Sequence, residues 1–247
     1  MDVSPLNCTA EELFGVVARP DRKRLLLSLS NPNFTEDHVI ALLRNPAVNQ
    51  EIVSEISERY DWLASYKVQC AIVNCPKTPH VLAMRLLHAL FWNDLLKTSL
   101  NLRLNPRIRR AAENYLRDKI SGLTLGERIN LARTGPRTIV LFLKNDDESR
   151  VITALLRNPH TVEEDVLAMI NNELAIPSVL RAIGQDYKWK VRYSIRLALV
   201  RNSRTPIGVA LGFLSKLRKP DLDVIAKAPH TRELIRRAAE RILAGEY

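Results

Sequence analysis

The sequence predicts an all-α fold, a right-handed α-solenoid of about eight short helical hairpins, and three observations predict it. First, the 247 residues include only eight glycines, and 6% are aromatic; an all-β chain needs more tight turns and aromatic-rich strands. Second, a shift of 127 positions lays the two halves over one another without a gap, NPNFTEDHVIALLRN from residue 31 on NPHTVEEDVLAMINN from 158. Third, within each half amphipathic segments recur at intervals of about 15 residues, separated by Asn-Pro or Thr-Pro turns. About eight helices per half then pair into four hairpins, each burying its apolar face against its neighbours.

Taken in order, the elements carry their own start signals. Thr9 is followed by Glu12, Thr124 by Glu127 and Thr161 by Glu164, the spacing at which a hydroxyl and a carboxylate satisfy orphan amides of the first turn. YDWLASYKV lies over YKWKVRYSI, pairing Tyr60 with Tyr187, Trp62 with Trp189 and Tyr66 with Tyr193. These repeated aromatics read as packing residues. KTPHVLAMRLL meets RTPIGVALGFL, with Pro79 and Pro206 at the first helical position, where the missing N–H costs nothing. RIRRAAENYL and LIRRAAERIL close the halves; Ile108, Ala111, Ala112, Tyr115 and Leu116 form a helical stripe, repeated at Ile235, Ala238, Ala239, Ile242 and Leu243. Residues 1–120 and 128–247 are therefore expected to be tandem halves of one continuous solenoid, joined through 121–127.

Charge sets the functional question. A net charge of +10 and a pI of about 9.8 favour an acidic partner: nucleic acid, a membrane surface or an acidic protein. Three cysteines (Cys8, Cys70, Cys75) make no complete disulfide framework, and MDVSPLNCTAEE does not resemble a secretory leader. A reducing, cytoplasmic setting is expected. Apolar runs such as TIVLFLK fall short of the ~20 residues of a membrane span.

Positions shared by both halves answer to the common fold, so positions that differ are the functional candidates. Residues 187–200 read as a helix with two apolar arcs, and Lys188, Arg192 and Arg196 form a basic ridge between them. The first half has Asp61, Ser65 and Gln69 there. Arg201, Arg204, Lys216, Arg218 and Lys219 likewise replace Asn74, Lys77, Ala89, Phe91 and Trp92. One reading is a cationic strip for an anionic partner, touching phosphates if that partner is nucleic acid. The other is lysine and arginine stems snorkelling at a solvated edge. Phe91 and Trp92 are candidates for base stacking, for anchoring a protein partner, or for the core. Cys70, Cys75, His80 and His88 lack a Cys-x-x-Cys pair and have Leu197, Asn202, Ile207 and Ser215 as counterparts, so no metal or other cofactor is expected. No phosphate loop, nucleophile elbow or His-Glu-x-x-His motif is present.

The NPNFT, NPHT and RTP turns with the leucine patterns that follow resemble bacterial HEAT-like repeats and the related leucine-rich repeat variant proteins, over most of the chain. That resemblance implies a curved helical surface acting as a non-enzymatic binding or scaffold module. The cysteine-rich N-terminal cluster of some leucine-rich repeat variants is absent, so no iron–sulfur cluster is carried over. FWND also looks like the catalytic region of HEAT-like alkylpurine DNA glycosylases, which would make Asp94 the catalytic carboxylate beside Trp92, with Trp189 and Arg192 across the groove. The alternative role for Asp94 is to start a helix after Asn93.

Overall fold

The computed structural model describes residues 4–172 and 175–246. Met1–Val3, part of the stretch read for a leader, lie outside the described residues. Among the described residues there are eighteen α-helices, one 3-10 turn and no strand. The chain divides into two compact units, Met1–Ser121 and Gly122–Tyr247. The division falls within the 3-10 turn Ile120–Gly122.

In the first unit, α1 (Ala10–Ala18) packs on α2 (Arg22–Ser28) and α3 (Glu36–Leu43); α3 packs on α6 (Tyr66–Asn74), and α6 on α8 (Trp92–Leu100). The unit also holds α4 (Gln50–Glu58), the single turn α5 (Tyr60–Leu63), α7 (His80–Leu87) and α9 (Pro106–Lys119), with α7 packed on α6 and α9, and α9 on α8. In the second unit, α10 (Leu125–Thr134), α12 (Ser149–Leu156), α14 (Pro177–Gln185), α16 (Ile207–Leu214) and α18 (Glu233–Ala244) form one layer. The other holds α11 (Arg137–Leu143), α13 (Glu163–Asn171), α15 (Tyr193–Arg201) and α17 (Lys219–Lys227), with α13 packed on α15. Helices α6, α7 and α8 have bounds that reappear 127 residues later in α15, α16 and α17. Where α14 meets α16, Gly184 permits close approach: a Cβ there would lie 2.6 Å from Val209 Cγ1.

The asparagines that follow these helices have a physical role beyond ending them. Asn45, after α3, donates its Nδ2 to Val17 O at 2.7 Å and Arg19 O at 2.9 Å, at the end of α1. Asn158, after α12 and fully buried, donates to Ala132 O at 2.8 Å and Gly135 O at 3.0 Å, at the end of α10. Asn202 reaches Ile170 O of α13, and Asn31 reaches Pro5 O and Cys8 O ahead of α1. In each case the amide oxygen accepts the N–H two residues on. Asn45, Asn158 and Asn202 thus cap open carbonyls at the end of a neighbouring helix, Asn31 ties down the segment ahead of α1, and each shapes its own turn. Burying those carbonyls without a partner would cost about 1–3 kcal/mol each.

Two of the three expected capping boxes hold. Thr9 and Glu12 satisfy each other at α1, and Thr124 and Glu127 do so at α10. Thr161 does not cap α13: its hydroxyl is buried on Leu155 O at 2.6 Å. The N-cap is Val162, whose N–H goes to Asp165 at 3.0 Å. Asp165 is buried because Arg137 holds it through both guanidinium nitrogens. In the first unit the same place is filled by His38, which accepts Thr35 N–H on Nδ1 at 3.0 Å and, with Nε2 then carrying the proton, donates to Ala10 O at 2.8 Å. Pro79 and Pro206 sit one residue earlier than expected, at the N-caps of α7 and α16. The Ile108, Ala112, Leu116 and Ile235, Ala239 stripes are buried.

Candidate functional site

In the first unit the α3, α6 and α8 side carries a cleft of ≈ 630 Å³. Its walls follow from helix ends: Arg44 caps α3, Tyr66, Lys67 and Cys70 project from α6, Asp94 from α8, and Arg103 stands in the turn before α9. Lys67 pairs with Glu36 at 3.4 Å. Arg44 and Arg103 are exposed.

The floor is organised by one phenol. Tyr66 Oη donates to Asp94 Oδ2 at 2.7 Å and accepts the Phe91 N–H at 2.9 Å. Burial, helped by the bond to Asp94, pushes the Tyr66 hydroxyl well above the usual phenol range. Burial would also raise Asp94, but the Tyr66 bond and Lys97 at 3.0 Å outweigh it and hold the carboxyl below its ordinary value. Burial raises the Cys70 thiol, which leaves little thiolate at neutral pH.

The second unit repeats this arrangement. Tyr193 donates to Asp221 and accepts the Arg218 N–H at 3.2 Å. A cleft of ≈ 390 Å³ lies on the corresponding side, between Asn171 at the end of α13 and Ala198, Arg201, Asn202 and Arg204. Asn171, Ala198, Arg201 and Ser203 stand 127 residues after Arg44, Ala71, Asn74 and Pro76 of the first cleft.

The structure redistributes the expected basic strip. Lys188, Arg192 and Arg196 do not share a helix: residues 187–191 are a turn and α15 begins at Tyr193. Asp186 stops the preceding helix by accepting the Lys188 and Trp189 N–H groups, and Trp189 is buried with its indole N–H on Leu156 O at 2.9 Å. Lys188 lies 4.3 Å over the Trp189 ring. Arg192 pairs with Glu163 at 3.3 Å. Arg196 folds back onto Lys190 O and Val191 O at 2.8 and 2.7 Å, a snorkelled arginine capping a turn. Arg201 pairs with Asp221 at 3.2 Å, and Arg218 stacks 4.7 Å over Tyr193, so these two meet around the Tyr193–Asp221 bond. Arg204 is exposed in the cleft, Lys216 lies 5.9 Å over Phe213, and Lys219 is exposed as the first residue of α17.

Phe91 is not a core residue. It is 64% exposed at the N-cap of α8, its ring 4.7 Å from Tyr66, while Trp92 is half-buried. Trp62 is half-buried between Phe34 at 5.6 Å and the Arg59 guanidinium at 4.5 Å. Asp94 has a role that Asp221 repeats, which ties it to the junction of α6 and α8. Cys75 is buried, His80 and His88 are exposed, and among the described residues no three His, Cys, Asp or Glu side chains gather as metal ligands.

Arg44, Lys67 and Arg103 were not among the expected residues. Their counterparts, Asn171, Ser194 and His230, are neither lysine nor arginine, so the same comparison of halves run in the opposite direction singles them out. No family model, no curated protein and no solved structure matches the chain.

Proposed function

We propose that the chain is a non-enzymatic binding module, an α-solenoid of HEAT-like character formed by tandem duplication, that engages an extended acidic partner, nucleic acid in preference to acidic protein. The observation that carries this reading is the paired clefts. Each unit presents one on the corresponding side of its own helices, and each is lined by arginines that stand at non-equivalent positions, Arg44 and Arg103 in one and Arg201 and Arg204 in the other. A requirement of the shared fold would repeat the residue; here Arg44, Arg103 and Arg201 match Asn171, His230 and Asn74 in the other unit, and of the four only Arg204 has a basic counterpart, Lys77. Asparagine turns and the coincident bounds of α6 to α8 and α15 to α17 support the duplication. The free thiols of Cys8, Cys70 and Cys75 fit a reducing, cytoplasmic setting.

Phosphate contacts of this kind give affinity without sequence readout and a steep dependence on salt. Titration of a labelled oligonucleotide at several salt concentrations tests the reading. Binding that weakens steeply with salt supports it, and absence of binding even at low salt overturns it. An acidic protein partner would be retained in a pull-down with a shallower salt dependence.

A further inference from the structure

Resting on that reading, we infer that the partner is single-stranded nucleic acid, and that Phe91 is the platform on which one base stacks while Arg44, Lys67 and Arg103, on the cleft that Tyr66 lines, hold phosphates of the same strand. Phe91 keeps 64% of its surface in contact with solvent, against 47% for Phe14 and Phe142 and 7% for Phe34 and Phe213. It is nevertheless held in place: its N–H is bound by Tyr66 Oη at 2.9 Å and its ring leans on Tyr66 at 4.7 Å and 47°. Tyr66 itself lines the cleft, and Phe91 joins the cleft through its contact with Tyr66. A fixed aromatic surface next to a charged trough is the arrangement that single strands use, because their bases are free to stack and every base has a π-face. A duplex hides those faces in its own stack.

The second unit fills the same station with Arg218, its guanidinium 4.7 Å over Tyr193. A guanidinium plane also stacks on bases and, unlike phenylalanine, pairs with phosphate. The two stations thus differ in what they offer a strand, a base contact at one and a mixed contact at the other. Asp94 does not oppose a phosphate strongly, since Tyr66 and Lys97 already engage its carboxylate. The first cleft, at ≈ 630 Å³, is of the size that accommodates a small ligand, about one nucleotide.

The experiment measures binding of the full chain to fluorescent dT and rU oligomers of about 15 nucleotides, to a duplex of the same length, and to heparin as a polyanion without bases. The expected result is tighter binding of the single strands than of the duplex at equal salt. Phe91→Ala should weaken the single strands about five-fold or more and leave heparin affinity and its salt dependence unchanged. Phe91→Tyr should keep parental affinity. Phe91→Leu retains apolar bulk against Tyr66 but not the π-face, so it should lose single-strand affinity even if the alanine variant fails to fold. The ratio of dT to rU affinity then distinguishes DNA from RNA as the source of the strand. Equal affinity for strand and duplex, or an effect of Phe91→Leu on heparin as large as on dT, overturns this inference and leaves the polyanion reading standing. Failure of the parent to bind any of the four probes overturns the polyanion reading itself.

Discussion

Tyr66 and Asp94 are joined across α6 and α8 by a hydrogen bond of 2.7 Å, and the same phenol accepts the N–H of Phe91 that opens α8. Tyr193 makes the corresponding bonds to Asp221 and the Arg218 N–H. Tyr66→Phe keeps the ring packing but leaves a half-buried carboxylate and a backbone donor each one partner short. A loss of about 1–2 kcal/mol is expected in urea unfolding. Tyr193→Phe should cost a similar amount, and the two should add, since they share no partner.

Acid should reveal the carboxylates that the fold uses. Asp94 is held low against the opposing effect of burial by Tyr66 and Lys97, and Asp165 by Arg137. A folded-state pKa below the unfolded one contributes stability that is present above the ordinary carboxylate pKa of about 3.9 and is lost as pH falls through the depressed value. Urea midpoints should therefore lose these contributions below about pH 4. Asp165→Asn should lower stability at neutral pH and show a shallower decline in acid.

Asn158 is fully buried and donates to two carbonyls at the end of α10. Asn158→Ala leaves both unpaired, with an expected loss of about 3 kcal/mol. Asn158→Asp is the more discriminating variant. It can still accept the His160 N–H, but a carboxylate cannot donate to Ala132 O and Gly135 O, so it should be no more stable than the alanine variant in thermal melts.

Arg137 and Asp165 occupy the places held by Ala10 and His38 in the first unit. Arg137→Ala strands a buried carboxylate; because the arginine itself is partly exposed, the expected cost is about 2 kcal/mol. Adding Asp165→His to Arg137→Ala imports the pairing of the first unit. The double variant should unfold at a higher urea concentration than Arg137→Ala alone, with a positive coupling in the double-mutant cycle.

Much of the fold is legible in the sequence because it is written in local chemistry. The Thr9 and Thr124 capping boxes and the Ile108 stripe need only residues within two turns of one another. Spacing alone misplaces Thr161 because its neighbour Asp165 is claimed by Arg137, 28 residues upstream, a tertiary contact that local spacing does not contain. The expected 187–200 helix is too long for a similar reason: its periodicity is genuine, but Asp186 and the buried indole of Trp189 make residues 187–191 a turn. Of the cationic positions, Arg201 and Arg204 are legible as differences between halves. Arg44, Lys67 and Arg103 lie far apart in sequence and come together only when α3, α6 and the turn before α9 are folded against each other.

The most direct measurement is the slope of log affinity against log salt for a labelled single-stranded oligonucleotide, in the parent and in two variants. One replaces Arg44, Lys67 and Arg103 with glutamine, the other Arg201 and Arg204. If both clefts hold phosphates, each variant should bind more weakly and its slope should be shallower, by up to about 0.7 for each phosphate no longer neutralised. A parental affinity that does not change between about 50 and 200 mM salt, or a slope untouched by all five substitutions in a chain that still unfolds cooperatively, would contradict the assignment of these clefts as phosphate sites.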